Sequence, residues 1–138
     1  MLILSKDKIL VDAPIARHGQ NVGACLYFMG MVRNAPEDNH VKGIMYSAYD
    51  QMCHQVYKDF IQQMTDSFPD IIVEIIHRIG FVPVGEVAVL VSVSSSHRNK
   101  TFQVLEIAVE WLKKELPIWK KIIHEDDASE WKANFENS

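Results

Sequence analysis

The chain has 138 residues, of which 48% are hydrophobic and 23% charged, with a formal net charge of -4. That length suits one domain with a real core, and the composition is that of a folded soluble protein rather than a disordered one. The acidic balance speaks against a dedicated nucleic-acid binder, and no run approaches the ~18 apolar residues of a membrane span, so neither nucleic acid nor membrane is expected as a partner and the cytoplasm is the expected location.

Cys25 and Cys53 form no C-x-x-C pair and read as reduced thiols. The histidines, His18, His40, His54, His77, His97 and His124, show no metal-ligand spacing, so no metal and no cofactor are expected.

Residues 1–22 are poorly patterned, apart from short apolar runs at 2–4 and 9–11 that read as an edge strand or hairpin. The run ACLYFMGMV at 24–32 suits a buried strand, with Gly30 marking a bulge or a close approach of backbone. Arg33 follows it into a polar loop at 34–40, where it either solvates the strand end or contacts a ligand.

Residues 41–49 fit a strand, and Asp50 is a candidate N-cap for a helix over 51–67. Met52, Val56, Phe60, Ile61 and Met64 give that helix its expected core-facing stripe, and His54 falls off the stripe toward solvent. Pro69 and Asp70 end the helix. The β-branched run at 71–80 is a strand, Pro83 and Gly85 mark a turn, and 87–95 is the most strand-like segment of all. His77 and Arg78 read either as functional groups or as a satisfied imidazole at a strand end beside a surface cation.

A helix over 96–115 carries Phe102, Leu105, Ala108, Val109 and Leu112 on one stripe, with Ser95 or Ser96 as candidate N-cap. Pro117 stops it, and 118–123 is a short strand that puts Lys120 and Lys121 on opposite faces. The tail at 124–138 is polar apart from Trp131 and Phe135, which could anchor a loose end. These elements give a single α+β domain over 1–138, a mixed and mainly antiparallel sheet packed against two long helices.

Positive charge gathers around the second helix. His97 and Arg98 sit where its free N–H groups suit a phosphate or carboxylate. At its far end Lys113 follows Trp111 and Leu112, an apolar setting in which an amine can serve as acid, base or nucleophile; the alternative is that Lys113 and Lys114 merely complement the helix dipole. From Arg98 to Lys113 a straight helix spans roughly 22 Å, too far for one small ligand. Either the two ends serve different sites, or the start of one protomer's helix meets the end of another's across a two-fold axis.

The sequence G-x-V-R at 30–33, H-R-I-G at 77–80, S-x-H-R at 95–98, and L-K at 112–113 followed by P-x-W-K at 117–120 resembles the large, catalytic subunit of molybdopterin synthase over residues 22–121. The resemblance implies a dimeric, α/β hammerhead-like fold and a sulfurtransferase that converts cyclic pyranopterin monophosphate to molybdopterin. It also implies a partner, a small ubiquitin-like sulfur-carrier subunit with a C-terminal Gly-Gly thiocarboxylate, assembled on a homodimer to make a heterotetramer. By the same resemblance Lys113 and Lys120 match catalytic lysines, and Val32, Arg33, His97, Arg98 and Lys121 fall at substrate-binding positions. The alternative is a non-catalytic module that binds a ubiquitin-like tail or an anionic metabolite through the same groups.

Overall fold

The computed structural model describes residues 1–10, 19–34, 40–126 and 129–133. Their elements run β1 (Leu2–Ser5), β2 (Ala24–Met31), β3 (Val41–Ala48), α1 (Asp50–Ser67), β4 (Ile72–Arg78), β5 (Gly80–Pro83), β6 (Val87–Ser95), α2 (Arg98–Glu115), β7 (Ile118–His124) and β8 (Ser129–Ala133). The expected α+β class holds, but the strands form two four-stranded sheets rather than one, ordered β1-β4-β6-β2 and β5-β3-β7-β8. Every pairing is antiparallel except β1 with β4. Most of the loop expected at 34–40, part of the weakly patterned 12–22 and Phe135 lie outside the described residues.

The first sheet carries the core. β6 is buried from Ala88 to Ser95 because β4 and β2 pair with it on either side and α2 crosses its face. β2, by contrast, is an edge strand, not the buried one its composition suggests: Tyr27, Met29 and Met31 point alternately to solvent. Its register slips between Gly30 and Met31, the bulge that an in-strand glycine foretold.

Both helices turn most of the expected stripe inward, with Phe60, Ala108 and Leu112 buried and Val56, Ile61, Met64 and Leu105 packed against the core, but the first member of each stripe is rotated out. α1 buries Cys53, Tyr57 and Phe60 and leaves Met52 exposed; α2 buries Thr101, Val104, Ala108 and Leu112 and leaves Phe102 exposed. Directed contacts decide the rotation. The Tyr57 hydroxyl donates to the Val73 carbonyl at 2.6 Å, and the Phe60 ring stacks on Trp111 of α2 with centroids 4.4 Å apart. Asp50 is the first helical residue rather than the cap, since Tyr49 holds that position.

The predicted turn at Pro83 and Gly85 contains a further strand, β5, which leaves the first sheet for the second at Gly80. Gly80 has φ +97, a backbone state that an L side chain resists, and an added Cβ would meet nothing within 4 Å. The polar tail also pairs: β8 joins β7, and the Lys121 ammonium lies 5.1 Å from the centre of the Trp131 ring. Among the described residues no helix is long and apolar enough to cross a membrane.

His77, next to this corner, fills the gap between the sheets. The residue is 2% exposed, and its ring meets Tyr46 of β3 edge-on at 4.9 Å and donates from Nδ1 to the Arg78 carbonyl at 2.9 Å. It is thus the satisfied imidazole, while Arg78 is no surface cation: it is tied to Glu86 at 2.7 Å with 13% of its side chain exposed. Burial pushes His77 down to about 4 from 6.5, against the hydrogen bond to Arg78, and the nearby Lys120 charge lowers it further.

Two outcomes follow for stability. Gly80→Ala should cost about 1–3 kcal/mol through backbone strain alone, read as a lower urea midpoint at constant m-value; an unchanged midpoint would contradict the strained corner. The unfolded imidazole binds a proton near pH 6.5 and the folded one not until about pH 4, so stability should fall by about 3 kcal/mol as pH drops through that window and level off below it. His77→Gln should flatten that part of the profile, and equal slopes in the two proteins would refute the assignment.

Candidate functional site

The C-terminal end of α2 is fixed by a proline corner. Leu116 is extended, as the residue before a proline must be, and Pro117 turns the chain into β7. The Pro117 carbonyl accepts the Tyr49 N–H at 3.2 Å and the Cys53 thiol at 3.6 Å, which ties the corner to the start of α1. Lys113, half-buried, and Lys120 therefore flank one braced turn.

Strand alternation then sorts the lysines of β7. Ile118, Lys120 and Ile122 point inward, and Trp119 points outward. Lys120 is only 8% exposed, lies opposite Tyr46 in the β3–β7 register and is close enough to His77 to act on its titration. Lys121, on the other face, is the cation over Trp131. Lys114 has the ordinary surface role expected for a helix end, exposed and 3.9 Å from Glu110.

The N-terminal end of α2 is organised by hydroxyls. Neither Ser95 nor Ser96 caps the helix; His97 holds the cap position and makes no side-chain cap bond. Ser95 Oγ instead donates to the His97 carbonyl at 2.8 Å and lies 2.7 Å from Thr101 Oγ1, which donates to the same carbonyl at 3.0 Å. Ser96 is bound from outside: its N–H donates to Asp70 Oδ2 at 3.0 Å and its hydroxyl donates to the same oxygen. Lys100 completes the group, 3.2 Å from Asp70 Oδ1. Beyond this turn His97 and Arg98 are exposed on an open recess of about 400 Å³ lined with Gly23, Ser96 and Asn99. A Cβ on Gly23 would lie 2.2 Å from the Ser96 carbonyl, so the floor of the recess tolerates no side chain there.

Arg33 is exposed immediately after Val32, whose own side chain is 2% exposed in the core. Val32 donates its N–H to the Glu86 carbonyl at 3.1 Å and accepts the Gly85 N–H at 2.8 Å, a latch that fixes where Arg33 emerges.

The fold thus brings Lys113 and Lys120 to one corner and His97 and Arg98 to one recess, and it keeps the two groups apart. Arg98 and Lys113 belong to the same unbroken helix, so its rise of about 1.5 Å per residue separates them by roughly 22 Å. Sequence reasoning missed Asp70, Ser95 and Thr101 as the frame of the recess. It also missed Tyr46 and His77 as neighbours of Lys120, because each partnership joins segments far apart in the chain.

Residues 4–115 match the family described as MoaE protein. A relative from Bos taurus, "Molybdopterin synthase catalytic subunit", is 36% identical over 135 residues, which is 96% of this chain and 68% of that one. The chain spans 57% of the corresponding Rattus norvegicus protein, at 35% identity. Among solved structures, molybdopterin synthase from Staphylococcus aureus superposes with a TM-score of 0.83 at 30% identity, covering 95% of this chain and 94% of its own. The complex of subunits 1 and 2 of molybdopterin-converting factor from Helicobacter pylori shares the fold, with a TM-score of 0.70 at 23% identity over 86% of this chain and 75% of that one. The match over most of the length, together with the bovine relative, shows that the chain belongs to the MoaE family.

Proposed function

We propose that the chain acts in the cytoplasm as the catalytic subunit of a molybdopterin synthase, a sulfurtransferase that makes the dithiolene of molybdopterin from cyclic pyranopterin monophosphate. The sulfur donor is a small ubiquitin-like subunit ending in a Gly-Gly thiocarboxylate. Two donors each exchange a carbon–sulfur bond for a carbon–oxygen bond and leave as carboxylates, while on the pterin side chain two carbon–sulfur bonds replace two carbon–oxygen bonds, with water making up the balance of oxygen. Sulfur leaves and enters at the same oxidation level, so the exchange needs no oxidant.

The observation that carries this reading is the braced corner at Pro117, which holds a half-buried lysine and an almost fully buried one on either side of a single turn. A lysine kept from water is costly to the fold, which suits a catalytic use. Both proposed reactants are anionic, and fixed cations in a low-dielectric setting stabilise charge that develops during transfer. Lys113 is assigned the acid–base work nearest the sulfur. Lys120 and Arg98 are assigned the phosphate and the transition-state charge, with Arg33, His97, Lys121 and the backbone at Val32 completing the substrate contacts.

Because Lys113 and Arg98 cannot reach one small ligand within a chain, the reading includes a homodimer. Lys113, Lys120 and Arg33 of one protomer face His97 and Arg98 of its partner, and two donor subunits complete a heterotetramer. The family relative solved as a complex of two subunits of molybdopterin-converting factor supports a two-component assembly.

Lys113→Ala should lower molybdopterin formation by about 10²–10⁴-fold, the usual contribution of a positioned acid–base group, with Tm unchanged. Wild-type turnover in that variant would remove Lys113 from the chemistry. Lys120→Met should reduce turnover by about 10²-fold or more without lowering Tm, because a buried amine gives way to an apolar chain of similar length. Equal loss of stability and activity would instead make Lys120 a structural group.

A further inference from the structure

Asp70 stands in the loop between α1 and β4, outside both groups of cations, and its carboxylate holds the turn leading into α2. One of its oxygens takes both polar groups of Ser96, the N–H and the hydroxyl, and the other takes Lys100. On the opposite side of that turn, Ser95 and Thr101 hold the His97 carbonyl. The residues that present His97 and Arg98 to the recess are therefore gripped from two sides by three side chains, with Lys100 bracing Asp70 in turn.

The place of the carboxylate matters as much as its bonds. α2 has no acidic residue in its first turn and no side-chain cap, so nothing of its own covers the free N–H groups there. Asp70 binds one residue earlier, at Ser96, and so does not itself take up those groups, which begin at residues that line the recess, Arg98 and Asn99. It also pairs Lys100, a cation in the first turn that the positive end of the helix dipole disfavours.

We infer that Asp70 is a positioning residue for the anion-binding half of the site, holding the 96–98 turn so that the imidazole of His97, the guanidinium of Arg98 and the start of α2 converge on the phosphate of the pterin substrate. This rests on the proposed function, which assigns His97 and Arg98 to the substrate. The hydrogen bonds from the Ser96 hydroxyl, the Ser96 N–H and Lys100 hold the Asp70 carboxyl well below the usual carboxylate range, so it stays charged throughout the working pH range.

The test uses the full chain with its thiocarboxylated partner, varying each substrate in turn, on the wild type, Asp70→Ala and Asp70→Asn. Asp70→Ala should raise KM for cyclic pyranopterin monophosphate by roughly tenfold or more, since small misplacements of a binding group carry penalties of that order. KM for the thiocarboxylated partner and Tm should stay at their wild-type values, and the amides of residues 96–101 should exchange faster with solvent. Asp70→Asn keeps one acceptor oxygen and should fall between the two. A pterin KM within twofold of wild type in Asp70→Ala would overturn the inference, as would equal rises in both KM values together with a lower Tm, the mark of a general structural role. If the wild type forms no molybdopterin, the proposed function falls and this inference with it; normal wild-type turnover with an indifferent Asp70→Ala strikes the inference alone.

Discussion

One straight helix sets the terms for the whole molecule. α2 runs unbroken from Arg98 to Glu115, and its rigid rise keeps cations at its start from sharing a small ligand with cations at its end. Everything that shapes the candidate site is an answer to that separation. A proline corner, tied to α1 through Tyr49 and Cys53, organises the lysine end. A cage of hydroxyls and one carboxylate organises the other. A two-fold assembly is the simple way to bring such ends together, because the same pair of surfaces then closes two sites at once.

The two ends obtain their chemistry by different means. At the lysine end the means is exclusion of water: Lys120 occupies an inward position of β7, with Tyr46 and His77 as its wall, and the same burial keeps His77 uncharged at neutral pH. At the arginine end it is exposure on a stiff frame. His97 and Arg98 reach solvent, while the backbone beneath them is bonded to Ser95, Thr101 and, through Ser96, to Asp70. A buried amine suits proton transfer and developing charge; exposed, well-placed cations suit capture of a phosphate that arrives from water.

Much of this was legible in the sequence. β6 was, because a run of small and β-branched residues between turn signals admits few other readings, and the bulge at Gly30 was announced by a glycine inside a strand. The cations around α2 could be placed at its two ends from helix spacing alone. The faces of the helices were legible except at their first members, since Met52 and Cys53 both start acceptable stripes and the inward turn of Cys53 goes with the Tyr57 bond to Val73. β5 was hidden by Pro83, which is tolerated on an edge strand, and β8 by a polar sequence that pairs only because β7 offers it an edge and Lys121 offers Trp131 a cation. Asp70 reads locally as a helix stop, and its bond to Ser96, 26 positions away, exists only in the fold.

The shared site is the claim on which the functional account turns, and mixing two inactive proteins tests it most directly. A Lys113→Ala chain and a chain carrying both His97→Ala and Arg98→Ala would be unfolded together, refolded and assayed for molybdopterin with the thiocarboxylated partner. Half of the resulting dimers are mixed and each mixed dimer holds one intact site, so the account predicts recovery to about a quarter of wild-type activity. Activity no higher than that of either variant alone would contradict it, placing all the working residues of each site within one chain.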